Sequence, residues 1–237
     1  MIARAALECA ADALAQGEFQ AVVTLPVSKE ALAMAGFAYP GQTEFFGSVA
    51  ERTPLMVLAC QVLRVALVTI HVPLERVPSM ITRERELQVI EQFHHMLSID
   101  FGIESPRIAV LGLNPHAGER GLLGWQEEHI IGPAIRDAQR IGIAVSGPFA
   151  ADGFFAHGAW QSYDGVIAQY HDQGLVPLKL LAQEQGVNIT AGLPFVRTSP
   201  DHGTAYDLVG TGRARYASLL AAIWMAQYLA TNRQVRT

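Results

Sequence analysis

Three of the eight histidines follow strand-like apolar runs. Val65 to Ile70 leads into His71, Ile108 to Leu113 leads through Asn114 and Pro115 into His116, and Val166 to Tyr170 leads into His171. In an open parallel α/β sheet, ligands bind outside the carboxyl ends of the strands. Three imidazoles so placed could converge on a divalent ion and leave coordination positions for a substrate. Their separations along the chain, 45 and 55 residues, exceed any local metal motif. Each imidazole capping its own strand is therefore the alternative. His94, His95 and His129 lie in helical stretches and His157 in a loop, and none of the four follows such a run.

A second set of residues suits an anion. Lys179 follows Tyr170-His-Asp-Gln-Gly174, and Arg197 follows Gly186-Val-Asn188-Ile-Thr190. A lysine and an arginine flanking a polar asparagine can hold a phosphate or carboxylate, with ordinary solvated cations as the alternative. The loop from Asn114 through Glu119, Gly121 and Gly124 has a permissive backbone whose N–H groups can approach an anion, or it is a plain turn. Dinucleotide binding by the usual fingerprint is not supported, because Gly210-Thr-Gly212-Arg-Ala-Arg215 lacks a third glycine and opens no βαβ unit. No Walker A sequence is present.

Positioning these residues requires a sheet. Ala21 to Leu25, Leu55 to Ala59, Ile143 to Val145 and Val187 to Ile189 add to the three strand-like runs above. Helices are expected over Ile2 to Leu14, over Arg83 to Leu97, where Leu87, Ile90, His94 and Leu97 share one face, and over about Ala214 to Leu229. The polar tail after Leu229 is expected to fray. His94 therefore packs rather than reacts. Strands alternating with helices predict a mainly parallel sheet covered on both faces.

Composition narrows the class. The chain has 237 residues, half of them hydrophobic and 16% charged, which is enough to bury a large core. Seventeen Lys and Arg against 22 Asp and Glu give a net charge of −5, with no basic excess for a nucleic-acid partner. Cys9 and Cys60 form no disulfide framework and are expected to be small buried hydrophobes. No apolar run is long enough to span a membrane and no signal-peptide pattern opens the chain, so a cytoplasmic protein with no membrane partner is expected.

Gly41-Gln-Thr-Glu-Phe-Phe46, Leu113-Asn-Pro-His-Ala-Gly-Glu119, Tyr170-His-Asp-Gln-Gly174, the run from Gly186 to Ser199 and Asp201-His-Gly-Thr-Ala205 together resemble the 4-hydroxythreonine-4-phosphate dehydrogenase family of pyridoxal phosphate biosynthesis. The resemblance covers nearly the whole chain. It implies an α/β fold, an isocitrate/isopropylmalate dehydrogenase-like α/β/α sandwich of two lobes. Residues 1–40 and 200–237 would then be the remnant of the first lobe, and 41–199 the second lobe with the metal and phosphate residues. It also implies a homodimer with an active site shared between subunits. The family's metal-binding histidines fall on His71, His116 and His171, and its substrate-holding residues on Thr43, Asp152, Lys179, Asn188 and Arg197, with Asp152 and Lys179 as the catalytic candidates. No NAD-contacting residue is identified.

The activity implied is NAD-dependent, metal-assisted oxidation of 4-phosphohydroxy-L-threonine, with decarboxylation to 3-amino-2-oxopropyl phosphate. Zinc suits three imidazoles, with cobalt, nickel, magnesium or manganese as alternatives. Two departures stand out. Gln42 precedes Thr43 where the family usually has histidine, and an amide cannot exchange a proton near neutrality. The same chemistry on D-threonate or D-erythronate 4-phosphate is therefore the alternative, and a carboxylated cis-dihydrodiol a more distant one. Family members also carry about ninety to a hundred residues before the point matching Met1, the size of a small domain, so the first lobe is expected to be truncated. A catalytically silent remnant that binds metal or ligand is the alternative from a different class, and a phosphate acyltransferase a weaker one.

Overall fold

A computed structural model describes residues 1–236 of the chain. The strands are β1 (Ala21–Val23), β2 (Leu55–Ala59), β3 (Arg64–Leu67), β4 (Ile108–Leu111), β5 (Val145–Phe149), β6 (Gly165–Ala168), β7 (Val187–Ala191) and β8 (Val196–Pro200). The helices are α1 (Ile2–Ala15), α2 (Lys29–Met34), α3 (Gln42–Val49), α4 (Val77–Met80), α5 (Arg83–His95), α6 (Gly132–Arg140), α7 (Ala151–Ala156), α8 (His171–Ala182) and α9 (Ala217–Arg236). They form two compact units, Met1–Met56 with Glu184–Thr237, and Val57–Gln183. The sequence put the boundaries at 40/41 and 199/200. They fall elsewhere because β8 pairs with both β1 and β7, which binds the segment around Val187–Pro200 to the start of the chain.

In the continuous unit the strand order is β2-β3-β6-β4-β5. The β2–β3 pair is antiparallel, and β3–β6, β6–β4 and β4–β5 are parallel. Every residue of β2, β4 and β6 is buried, as expected for short apolar strands covered on both faces. Helix α5 begins at Thr82, whose hydroxyl accepts the Arg85 N–H at 3.1 Å. Its buried Val89, Ile90 and Phe93 recur at helical spacing, and His94 is half-buried. Helix α8 lies against β3 and β6. A Cβ on its Gly174 would stand 2.7 Å from Val65 Cγ1, 3.0 Å from Leu67 Cδ2 and 3.1 Å from Ala168 Cβ. Only glycine permits that approach, and the approach fixes where the helix, and His171 at its start, begins.

The discontinuous unit has the order β1-β8-β7, with β8 parallel to β1 and antiparallel to β7. Helix α9 packs on all three strands. Leu7, Leu14, Leu32, Phe45, Phe46 and Phe195 form the core beneath α1. Cys9, expected to be buried, is exposed, because α1 buries Leu7, Ala11 and Leu14 and turns position 9 outward. The tail expected to fray stays helical, since Arg233 Nη1 donates to Leu193 O at 3.0 Å. Strand β8 has no apolar pattern to announce it, yet all five residues are buried. Its polar groups are satisfied inside the unit: Thr198 Oγ1, for example, donates to Ala222 O at 2.9 Å. Among the described residues no helix is long and apolar enough to cross a membrane.

Gly174→Ala should lower stability by about 1–2 kcal/mol, because overpacking against β3 and β6 outweighs the gain in helix propensity. Urea unfolding checks this. An unchanged or higher midpoint would show that α8 can back away from the sheet at no cost.

Candidate functional site

Because β3, β6, β4 and β5 run parallel, their carboxyl ends lie along one edge in that order. The residues that follow them are His71 after β3, His171 after β6, His116 after β4 and Asp152 after β5. Topology therefore gathers four of the sequence candidates at one edge of one sheet, where α/β folds place their ligands.

The side-chain geometry is most developed at the first two. The His71 and His171 rings are 5.5 Å apart between centroids. His171 opens α8, and its Nδ1 lies 2.7 Å from Asp172 Oδ1. A carboxylate on Nδ1 fixes that nitrogen as the donor and leaves Nε2 free to ligate. His116 is exposed and occupies a tight turn, Pro115–Gly118, that packs against α7. Among the described residues no group of three or more His, Cys, Asp or Glu stands close enough to hold a metal ion. In donor type, the His71–His171 pair with its carboxylate-oriented imidazole fits a divalent transition ion, and His116 follows the neighbouring strand as the available third donor.

The turn carrying His116 is strained and anchored. His116, Ala117, Glu119 and Arg120 all have left-handed backbones, with φ of 53°, 51°, 42° and 55°, each at a cost of order 1 kcal/mol or more. What holds it is Glu127, a buried carboxylate. Its Oε1 accepts the Leu113 N–H at 2.8 Å and the Asn114 N–H at 2.7 Å, and its Oε2 accepts Asn114 Nδ2 at 3.0 Å. Gly118 is required here: at φ +77° a Cβ would lie 2.6 Å from Glu127 Oε2. Sequence analysis passed over Glu127. An acidic residue nine positions after the Asn114-Pro-His-Ala-Gly118 turn is not distinctive until the turn closes on it.

In the discontinuous unit the best-defined feature is Arg197, on β8 and only 3% exposed. Its Nε and Nη2 donate to Thr24 Oγ1 at 3.1 and 2.7 Å, and its Nη2 also donates to Gln42 Oε1 at 3.1 Å. Its Nη1 donates to Thr190 Oγ1 at 3.1 Å and reaches Thr43 Oγ1 at 3.5 Å, a weak contact. Every acceptor is neutral. Burial pushes the guanidinium down to about 10, with the nearby Glu44 charge opposing, so it remains a cation at neutral pH. Asn188 lies on β7 beside Thr190 in the alternating register, and its buried Oδ1 has no hydrogen-bond partner. Arg197 thus makes no direct ion pair, with the Glu44 charge only nearby, and Asn188 leaves a buried acceptor open on the same face of the sheet.

Gln42, Thr43, Asn188 and Arg197 are thus gathered in one unit. Lys179 is exposed on α8, eight residues and about 12 Å of helix axis from His171. Asp152 is exposed in the first turn of α7. Gln42 does more than the sequence suggested: its Oε1 receives Arg197 while its Nε2 donates to Leu25 O at 3.1 Å. Thr24, which takes two of the guanidinium's bonds, was read only as part of a strand.

The family model of pyridoxal phosphate biosynthetic protein PdxA matches residues 1–226. A 4-hydroxythreonine-4-phosphate dehydrogenase of Bacteroides thetaiotaomicron is 47% identical over 234 residues, 97% of this chain and 64% of that protein. The crystal structure of the 4-hydroxythreonine-4-phosphate dehydrogenase of Klebsiella pneumoniae superposes with a TM-score of 0.85 at 43% identity, covering 94% of this chain and 68% of that one. Isocitrate dehydrogenase of Methylococcus capsulatus, at 10% identity and a TM-score of 0.55, covering 91% of this chain and 70% of that one, shows the same fold. The expected α/β architecture of the isocitrate dehydrogenase kind is therefore present.

Replacing Glu127 by alanine removes three charge-assisted bonds and should cost about 2–4 kcal/mol, with faster amide exchange at Leu113 and Asn114. Urea unfolding with hydrogen exchange checks both. Unchanged exchange at these two amides would mean that Glu127 does not hold the turn.

Proposed function

The chain belongs to the PdxA family, and from that membership we propose that it carries out NAD-dependent oxidation of 4-phosphohydroxy-L-threonine, with decarboxylation to 3-amino-2-oxopropyl phosphate. The observation that carries this proposal is Arg197, a buried cation bonded only to neutral side chains. Such a group is stabilised by an anion, and a phosphorylated hydroxy acid brings one. The chain spans 64% of the length of the Bacteroides relative, and the activity is proposed for the chain as it stands.

The residues divide the work. Arg197 binds the phosphate, with Thr43 and Asn188 orienting it and Lys179 as a further cation. Remote anion binding of this kind is converted into orientation of the reacting carbon. Asp172 holds the His171 ring by its Nδ1. Asp152 takes the amino end of the substrate or a proton from the reacting end. A divalent ion held by His71, His116 and His171 supplies Lewis acidity to this chemistry, with zinc the best match to three imidazoles and cobalt, magnesium or manganese as alternatives. In the overall reaction hydride leaves the alcohol carbon for the nicotinamide, the hydroxyl proton is released, and the β-keto acid loses its carboxylate as carbon dioxide, the carbon left behind taking up a proton. A homodimer is part of the proposal.

Gln42 favours a second reading on the substrate. It contacts Arg197 directly and, unlike histidine, stays uncharged at every pH. The same reaction on D-threonate or D-erythronate 4-phosphate would suit a site that carries an amide beside Arg197 where the family usually has a titratable histidine.

Formation of NADH by the purified protein, with added zinc or cobalt and each of the three phosphorylated substrates, tests the proposal. Metal-dependent turnover is expected, with a loss of more than about 100-fold in His171→Ala, since removal of a ligand exceeds the 10–100-fold typical of an outer partner. No turnover with any substrate, from protein that is folded and binds metal, would contradict it and favour a binding remnant.

A further inference from the structure

One carboxamide joins four strand ends into a belt. Gln173, in the first turn of α8, accepts the Gln169 N–H on its Oε1 at 2.7 Å and donates from its Nε2 to Gly112 O at 2.7 Å. From Gln169 the belt reaches β3, because the Gln169 carbonyl accepts the Thr69 hydroxyl at 2.7 Å and the Thr69 N–H at 3.2 Å. It reaches β4 as well, through Gln169 Nε2 donating to Leu111 O at 2.9 Å. From Gly112 it continues to β5, where Phe149 O accepts the Gly112 N–H at 2.8 Å. Thr69, Gln169, Gly112 and Phe149 stand two, two, four and three residues before His71, His171, His116 and Asp152.

Gln173 grips two of the imidazole-bearing segments directly. Its bond from the Gln169 N–H closes a ring around Tyr170, His171 and Asp172, where strand gives way to helix. Its bond to Gly112 O pins that ring to the end of β4, against the His116 turn: a Cβ on Gly112 would stand 2.9 Å from Ala117 Cα and 3.0 Å from Ala117 Cβ. The position needs an acceptor for an N–H and a donor for a carbonyl on one side chain, and a primary amide has both. The amide cannot be turned over, since its oxygen would then face the Gly112 carbonyl and its nitrogen the Gln169 N–H. An ionised carboxylate here would lack the donor, and a hydrocarbon would lack both.

We propose that Gln173 is a positioning residue: its carboxamide fixes the start of the His171 helix against the end of β4 that leads to His116, and so sets how tightly the imidazoles hold a divalent ion. Asp172 orients the His171 ring, whereas Gln173 places the backbone that carries it. The effect on metal rests on the assignment of His71, His116 and His171 made under Proposed function. The grip on the strand ends does not.

Hydrogen exchange and calorimetry on the whole chain test this. In Gln173→Met, which keeps the length of the side chain without its polar ends, the Gln169 and Gly112 amides of the metal-free protein should exchange about tenfold faster relative to those of β2, and Zn²⁺ affinity should fall about tenfold, the lower end for an outer-shell partner. Val89→Ala, which opens a cavity under α5 and lowers stability without touching the belt's bonds, should match the wild type in both. Unchanged exchange at Gln169 in Gln173→Met, unchanged Zn²⁺ affinity in that variant, or an equal loss of Zn²⁺ affinity in Val89→Ala would each overturn the proposal. If Gln173→Met does not fold, Gln173→Asn, whose amide is one methylene too short to span both partners, decides it on the same two measurements. A wild type that binds no Zn²⁺ would contradict the metal assignment alone and leave exchange at Gln169 and Gly112 to judge Gln173.

Discussion

Burying a guanidinium costs several kcal/mol that the fold must recover through hydrogen bonds, and Arg197 imposes that demand on the whole discontinuous unit. Thr24, at the end of β1, accepts two of its N–H groups, Thr190 on β7 accepts another, and Gln42 at the start of α3 a fourth. The register that sets Arg197 opposite Val22 on one side and Thr190 on the other is therefore fixed by chemistry as well as by pleating. The same demand explains why β8 can be a fully buried strand of polar residues. What the arrangement does not provide is a carboxylate bonded to the guanidinium, Glu44 acting only from nearby, and the proposed phosphate role of Arg197 rests on that.

The continuous unit solves a different problem. Parallel strands leave their last backbone groups without ladder partners, and Gln169 and Gln173 take up those at the ends of β6 and β4 while Thr69 closes β3. Beyond this belt the chain enters strained territory, with left-handed residues from His116 onward held by Glu127. Rigid support followed by a strained, exposed loop is how α/β proteins present reactive side chains without letting them wander. The His71 and His171 rings stand 5.5 Å apart between centroids, and the His116 turn follows the neighbouring strand along the same edge.

Much of this was legible in the sequence, and the limits have physical causes. Leu55–Ala59 appears as a strand with the bounds its apolar run suggests, since a fully buried strand needs only apolar residues. The strand-end position of the histidines could be read, but their order across the sheet could not, because it depends on β6 inserting between β3 and β4. Strand β8 escaped notice because its polar residues show no apolar pattern and the groups that satisfy them lie far away in sequence: Arg197 is 173 residues from Thr24. Glu86, buried on α5, was hidden for a related reason. It stands among charged residues at the start of α5, and only packing shows that it faces inward while Arg83 pairs outward with Asp137. The family resemblance carried the assignment of roles to Lys179 and Asp152, which the local geometry of α8 and α7 does not single out.

The central claim is that Arg197 is an unpaired buried cation awaiting a substrate phosphate. Calorimetric titration with inorganic phosphate tests it most directly, in the wild type, in Arg197→Met and in Gln42→Glu, where a carboxylate is placed against the guanidinium. Saturable binding to the wild type that is lost in Arg197→Met, and weakened by about tenfold or more in Gln42→Glu as the internal carboxylate competes, is the result this account requires. Phosphate that binds all three proteins equally, or none of them, would contradict it.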